Sequence, residues 1–532
     1  MGFCVSNPDR SKTKAYLVGG GVASLAAAAI LIRDGDLIGR NITVFEELSR
    51  LGGSLDGSGD PERGYMIRGG RMLEAKFLCT FDLFSSIPTL DGSRTVTQEI
   101  FQWNEVVNSG SKSRLVRDGQ RVDAPEFGLA GHHVLAIEKL VIAPERMLGH
   151  SRIQDHFDDT FFRTNFWIMW ATTFAFQPWH SAAELRRYLI RFTHLVSGFN
   201  RLKGVMSTVH NQYDSLVRPL RKWLDERGVR FEVETQVTDL EVADSSSGRE
   251  VEALHLVRGG GRSERVEVAP EDLVLVTLGS MTEASDQGSM DGPAGLKTKE
   301  VGGAWTLWER IAEGRPELGR PGAFDNHIDQ SKWLSFTTTL KRPDLINAVR
   351  DFTGNVPGEG GLVTFAQSGW LMSIVVPHQP HFIGQPSDMS VFWGYGLRVD
   401  ALGDFVKKPM AQCSGRELLA ELLGHLNLQA QTDALTADAI CLPCMMPFIT
   451  SQFLPRGPGD RPMVHPDGYV NLGLLGQFVE LADDVVFTVE YSVRSAMAAT
   501  YSLLGLKRHP PAVYKGQLDP RNLLEVLKSL HT

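Results

Sequence analysis

Residues 16–59 read YLVGGGVASLAAAAILIRDGDLIGRNITVFEELSRLGGSLDGSG, and their reading decides the fold. Tyr16, Leu17 and Val18 predict a short buried strand, and Gly19-Gly20-Gly21 a tight turn. Ser24 to Arg33 predicts an alanine-rich helix that Gly35 ends. Ile42 to Phe45 predicts a second strand closing on Glu46. This order is the βαβ dinucleotide fingerprint, with Gly19 and Gly21 at its first two glycine positions and Ser24 at the third. Gly19 permits the turn, and Gly21 lets a pyrophosphate approach the backbone. The free N–H groups at the helix start then favour that anion. Serine at the third position is small enough for close helix–strand packing. Glu46 stands where a carboxylate can accept hydrogen bonds from a ribose. The second glycine pair, Gly52-Gly53, suits the longer FAD better than NAD, because a further turn can lie along it; Ser54 follows directly.

The uncharged run from Ala15 to Ile32 is about long enough for a membrane span. Its three consecutive glycines, and the second strand so soon after, favour the βαβ unit instead.

Outward from this motif, 532 residues are enough for two or three domains. A net charge of −9 argues against nucleic acid as a main partner. The polar start MGFCVSNPDRSKTK has no apolar signal region, so a cytoplasmic protein is expected. MGFCVS fits a myristoylation pattern only superficially. Five scattered cysteines do not make a disulfide framework. Cys441-Leu-Pro-Cys444 lacks a second pair and reads as packed thiols beside a turn, so no metal site is expected.

The glycines of Tyr65-Met-Ile-Arg68-Gly69-Gly70-Arg71 suggest backbone passing close to something flat, such as a flavin. Residues 107–125 read as polar, basic and irregular. Phe166 to Phe199 is the most aromatic stretch, either core or an apolar tunnel for a long ligand. Within it Ser181-x-x-Glu184 is a capping box, and Glu184, Tyr188 and Phe192 share one helix face. Asn211 to Glu226 predicts a helix that Gly228 stops, and residues 235–240, with Val237, a strand leading back to the cofactor domain. Asp272 to Ser280 predicts a buried parallel strand with a small-residue exit at the cofactor. Residues 281–300 read as loop, 330–450 as a second, sheet-containing domain, and Asp484 to Leu504 as a long closing helix.

The expected class is α/β. A discontinuous Rossmann-like FAD-binding domain (1–75, 228–300 and 465–508) carries an inserted α+β substrate domain and a helical C-terminal part. Residues 76–227 and 301–464 form the substrate-binding regions, and 509–532 a tail.

Several strings together resemble the FAD-containing fatty acid hydratases, the oleate hydratases once called myosin-cross-reactive antigens. They include FEELSRLGGSLDG, RGGR, FWIMWATTFAFQPWHSA, NQYDSL, LGSMTE, PCMMPFITSQFLPR and GQFVELADDVVFTVEYSVRSAM. The resemblance implies water addition to the cis-9 double bond of oleic acid to give 10-hydroxystearic acid, with FAD required but not turned over. It implies cofactor contacts from Gly19, Gly21, Ser24, Glu46, Gly53, Ser54, Arg68, Gly69, Gly70, Val237, Ser280 and Gln477. Tyr188 matches the family's proton donor, with Tyr213 and His210 in reserve. A phenol of pKa ~10 stays protonated at neutral pH. The family motif RGGRE ends in a water-activating glutamate, but Met72 stands there in this chain and cannot accept a proton. Glu74 matches another acidic position and could partly compensate. Thr450, Gln452 and Arg456 fall where the family binds the substrate carboxylate. Expected partners are an unsaturated fatty acid and water, with transient membrane-surface contact to collect the acid. The chain is shorter than most members, which leaves monomer and homodimer both open. Two rival classes stay open too: a redox flavoenzyme such as an amine oxidase or desaturase, and a fatty-acid-binding flavoprotein without catalysis.

Overall fold

The computed structural model describes residues 10–70 and 72–530. The MGFCVS reading, Cys4 and Arg71 lie outside the described residues.

The fingerprint segment folds as its residue pattern dictates. Strand Ala15–Val18 is buried along its length, and helix Val22–Arg33 follows directly. Ala26 to Ala29 are at most 1% exposed. Side chains this small let the helix lie close against the sheet and against the helix Val489–Leu503. Five strands form one parallel sheet in the order Leu472–Leu475, Leu273–Thr277, Ala15–Val18, Ile42–Phe45 and Arg230–Glu232. Its members come from distant parts of the chain. Parallel strands buried on both faces need continuous apolar runs, and Leu273-Val-Leu-Val276 is one.

A second sheet of eight strands dominates the other half. It runs Asp286–Gln287, Ala439–Met446, Trp333–Leu340, Ser390–Gly396, Met372–Val375, Leu362–Phe365, Ser113–Arg117 and Gln120–Asp123. The hairpin of Gly57–Asp60 and Gly64–Ile67 joins the halves. Tyr65 N–H and Ile67 N–H donate to the Thr339 and Thr337 hydroxyls of the large sheet, at 2.9 and 3.1 Å. The chain leaves this hairpin at Arg68-Gly69-Gly70, between the two halves.

Four segments differ from the sequence reading. Residues 107–125 are not irregular: they hold the hairpin Ser113–Arg117/Gln120–Asp123, whose outer strand is the exposed edge of the large sheet and whose inner strand is buried, with Arg114 donating to the Leu362 and Phe199 carbonyls. The strand containing Val237, Thr235–Ser245, pairs antiparallel with Gly248–Arg258 in a separate three-stranded sheet, not in the parallel sheet. The closing helix starts at Val489 rather than Asp484, because Phe487 sits at φ 69° and Thr488 caps the helix. The predicted helix 211–226 opens with a π-turn at Tyr213–Val217 before Arg218–Asp225. Among the described residues, no helix is long and apolar enough to cross a membrane.

Candidate active site

Two cavity systems meet at the junction of the halves. The larger cavity, about 420 Å³, runs along the carboxyl ends of the parallel strands, where doubly wound sheets bind ligands. Gly19, Gly21, Glu46, Gly53, Ser54, Arg68, Val237, Ser280 and Gln477 all line it. Gly19 has φ 93°, a conformation that glycine adopts without strain. The second glycine turn packs on the first. Gly52 N–H donates to the Gly20 carbonyl at 2.9 Å, and a Cβ on Gly53 would lie 3.0 Å from the Gly21 Cα. A Cβ on Gly21 would meet only the Gly53 Cα, at 3.9 Å, and so has room at the mouth of the helix Val22–Arg33. That open cradle is the fit expected of a pyrophosphate. Glu46 anchors the turn: one carboxylate oxygen accepts from Gly20 N–H at 2.6 Å and the other from Leu48 N–H at 2.8 Å. Burial pushes its pKa up, against those hydrogen bonds.

Three assignments need correction. Ser24 does not line the cavity; its hydroxyl is 2.9 Å from that of Thr277, so it acts in helix–strand packing. Gly69 and Gly70 face the other cavity system, although the neighbouring Arg68 faces the cofactor side and is held by Asp56 at 2.8 Å. The sequence reading missed Gly302, Gly303, Gly476 and Glu283 on the cofactor wall. The Gly302-Gly303 pair and the LGSMTE string were the available signals. Glu283 accepts from Trp305 N–H at 3.2 Å at the start of the helix Ala304–Ala312. Burial, with Glu47 nearby, lifts its pKa to about 8.

The second system is a row of three adjacent chambers, about 110, 90 and 40 Å³, with Gly70 and Met72 in the walls of all three; it is called the tunnel below. The first chamber touches the cofactor cavity through Ser54. The second is lined by Tyr188, Glu74, Phe174, Phe192 and Phe487. Most of the aromatic stretch is therefore core, with Trp167, Trp170 and Phe176 buried, while Phe174 supplies tunnel wall.

Tyr188 is 1% exposed, its ring in edge contact with Phe174, Phe176 and Phe453. Its hydroxyl donates to the Val486 carbonyl at 2.5 Å. Glu74 is on the same chamber but is tightly held. It accepts from Arg191 at 2.9 Å and Lys76 N–H at 2.7 Å, with His194 Nε2 at 3.3 Å. Burial opposes its ionisation, but His194 and Arg191 outweigh that and lower its pKa. His210 lies on the first chamber. Tyr213, the reserve candidate, lines neither system: its ring packs on the Arg50 guanidinium at 4.0 Å and beside Gly52.

The proposed carboxylate clamp also fails to form. Thr450, Gln452 and Arg456 line none of these cavities. Thr450 donates to the Ser331 carbonyl, and Gln452 to the Ile449 carbonyl. Arg456 is buried and already paired with Glu184 at 2.9 Å and Glu480 at 3.2 Å. The capping-box residue Glu184 serves these arginines: burial opposes its charge, but Arg461, Arg456 and Arg187 hold its pKa at about 2. Cys441 and Cys444 are free and buried, as packed thiols.

A glycine-cradled dinucleotide cavity at the strand ends, joined to an apolar tunnel, defines a flavoprotein with a long hydrophobic ligand site. Residues 12–501 match the MCRA family model, and the chain belongs to that family. It is 38% identical to an oleate hydratase of Streptococcus pyogenes serotype M49 (strain NZ131), across 97% of this chain and 89% of that one. It is 31% identical to a linoleate hydratase of Lactiplantibacillus plantarum, across 98% of both. Its fold is similar to that of cyclohexylamine oxidase from Brevibacterium oxydans IH-35A, with a TM-score of 0.53 at 13% identity, covering 93% of this chain and 100% of that one.

Proposed function

We propose that the protein hydrates the cis-9 double bond of oleic acid and similar unsaturated fatty acids, giving 10-hydroxy acids. The observation that carries this reading is the tunnel itself. It sets a buried phenol, Tyr188, on a largely apolar chamber whose neighbour shares Ser54 with the cofactor cavity. The near full-length identity to two hydratases supports it. FAD is the cofactor that the glycine cradle and Glu46 would hold; when bound, it supplies a fixed electrostatic wall beside the tunnel and undergoes no net redox change.

An alkene offers no polar handle, so the chain must supply both an acid and an oriented water. Tyr188 gives its proton to one alkene carbon, which requires its O–H to turn from the Val486 carbonyl toward the chamber. Positive charge then develops on the neighbouring carbon. Glu74, ionised on the same chamber, stabilises that charge, and a carboxylate with a lowered pKa is better suited to this than to taking a proton. Water attacks the cationic carbon and returns a proton to the phenolate. Met72, at the junction of the chambers, shapes the water's place without activating it. The oriented surroundings supply most of the acceleration.

The same reading takes the protein as cytoplasmic, monomeric or homodimeric, and in transient contact with membrane surfaces. Ile142 and Met147, 79% and 75% exposed, lie near Lys139 and Arg146 and would carry that contact. Incubation with oleate and FAD in D₂O should yield a hydroxystearate with one non-exchangeable deuterium. Flavin-dependent consumption of oxygen or NADPH with no hydroxy acid would instead favour the redox class, and oleate binding without product the non-catalytic one.

A further inference from the structure

A hydratase must hold its water where the alkene is protonated, and the thioether of Met72 is a poor group for the task. The second chamber carries the acid, Tyr188. The third adjoins it and, at about 40 Å³, exceeds the roughly 10–15 Å³ that one water needs. Four residues stand in the walls of both chambers: Gly70, Met72, Thr173 and Phe487. Of these four, Thr173 alone has a side-chain oxygen. We propose that Thr173 holds the attacking water in the third chamber, at its boundary with the second, and supplies the positioning that Met72 does not. The proposal rests on the hydratase reading for the reaction.

The Thr173 hydroxyl is set for this by its neighbours. It donates its proton to the Met169 carbonyl at 2.7 Å and accepts from the Arg114 guanidinium at 3.1 Å. A hydroxyl has one proton and two lone pairs. One lone pair is left, so Thr173 can only accept from a further partner. A water bound there donates an O–H to Thr173 and keeps its own lone pairs for the carbon. Arg114 fixes the arrangement from behind. It is fully buried and also donates to the Leu362 and Phe199 carbonyls, at 3.1 and 2.8 Å. Burial pushes its pKa down to about 10, which still leaves it charged at neutral pH. A charged donor holds the hydroxyl more firmly than a neutral one.

The other polar side chains of the two chambers are committed or placed differently. Glu74 is tied to Arg191, the Lys76 N–H and His194. Thr488 borders the second chamber only, and caps the helix Val489–Leu503. Thr172 and Tyr395 border the third only, where the Tyr395 hydroxyl donates to the Thr172 carbonyl. Lys203, on the second chamber, donates but does not accept, so a water on its ammonium would have a lone pair engaged. The step itself is unchanged: the water oxygen bonds to the cationic carbon, and the adduct's extra proton returns to the Tyr188 phenolate. Thr173 neither gains nor loses a proton.

The test is turnover of oleate by the FAD-loaded protein in D₂O. Tyr188 then delivers deuterium to the alkene. With water in place, the cation is captured as hydroxystearate. Without it, the cation loses a proton to the phenolate and reverts to an alkene that keeps deuterium. Thr173→Val removes the hydroxyl and keeps the branched shape. Hydroxystearate formation should fall about 10-fold or more, the scale of one lost hydrogen bond. Deuterium in the recovered alkene, relative to hydroxystearate, should rise by a similar factor, with oleate affinity by calorimetry unchanged. Thr173→Ser, which keeps the hydroxyl, should recover most of the rate. Leu362→Phe fills the third chamber from a wall that the other two do not share, and should shift the partition the same way even if the Thr173 variants fold poorly. Deuteration and hydration falling in proportion would overturn the proposal, because damage to the acid or the fold does that. Weaker oleate binding in Leu362→Phe would overturn it too, since the chamber would then hold lipid. The two readings fail separately. No hydroxystearate from the unmodified protein removes the hydratase reading and this proposal with it; hydroxystearate formed with an unchanged partition in the variants removes the water site alone.

Discussion

The cofactor cavity and the tunnel lie side by side but are made of different material. Backbone makes much of the first. Gly19, Gly21 and Gly53 leave out side chains so that a ligand can touch the chain, and the residues doing so lie within 35 positions of one another. Side chains from remote segments make the second: Glu74 from the segment after the hairpin, Tyr188 from the helix Ala182–Arg191, and Phe487 from the turn before Val489. A site made by omission has a local signature. A site made by convergence has one only when the fold is in hand. Substitutions should therefore act differently in the two places, by filling space in the first and by removing a single group in the second.

The largest effect is expected at Gly21. Gly21→Leu puts a branched side chain into the cavity, where its Cβ would touch only the Gly53 Cα, at 3.9 Å. The apoprotein should keep its circular dichroism and melting behaviour but purify colourless and inactive. A yellow, active Gly21→Leu protein would show that the cradle does not hold the pyrophosphate.

That contrast also explains what could be read in advance. The sheet's first two strands, its helix and the cavity-lining glycines follow from periodicity and turn chemistry within one short stretch. The family strings added Tyr188, whose helix does bring it to the tunnel. What sequence could not show was which side chains were already committed. Arg456 and a substrate-binding arginine look alike in one dimension; only the fold brings Glu184, from 272 positions away, within 2.9 Å of it. Tyr213 was misplaced for a similar reason: its π-turn sends the ring onto Arg50. The Ser113–Arg117 hairpin was missed because its inner strand buries polar residues, with Arg114 donating to the Leu362 and Phe199 carbonyls, partners that only the fold supplies.

In the tunnel, Tyr188→Phe removes one hydroxyl and keeps the ring among its aromatic neighbours. Turnover should fall by about 10²–10⁴-fold, the usual contribution of a general acid, with FAD content unchanged. Single-turnover rates would separate this from slowed product release. A rate close to that of the unmodified enzyme would move the acid elsewhere on the tunnel wall.

Arg456→Ala tests the correction of the clamp. A clamp residue would raise KM for oleate. A structural one would lower stability instead, because Glu184 is fully buried and keeps only Arg461 and Arg187 nearby. Removing one partner of a buried pair costs about 3–5 kcal/mol, and the remaining arginines place this case at the lower end. The pH dependence follows from the depressed pKa. Stability from Glu184 is present above its ordinary carboxyl range and is lost as pH falls toward about 2. Arg456→Ala should move that loss to higher pH. Urea denaturation at pH 4 and 7 reads both effects, and a raised KM with unchanged stability would restore the clamp.

The smallest effect on turnover is expected on the cofactor wall, at Glu283, the lining carboxyl there whose pKa is lifted to about 8. Its carboxyl faces Glu47 at the start of the helix Ala304–Ala312, and its pKa stands at about 8. Folding therefore holds a proton that the unfolded chain, with an ordinary pKa near ~4.3, has released. A group raised in this way lowers stability as pH climbs from the ordinary value to about 8, by up to about 1.4 kcal/mol per pH unit. Glu283→Gln keeps an acceptor for Trp305 N–H and carries no charge at any pH, so it should flatten that slope. The melting temperature of the apoprotein, followed from pH 5 to 8, should fall for the native protein and change less for the variant. FAD affinity offers a second readout, since a carboxyl ionised beside Glu47 repels a pyrophosphate and an amide does not. Parallel slopes for the two proteins would mean that Glu283 is ionised throughout, with the helix start bearing both carboxylates.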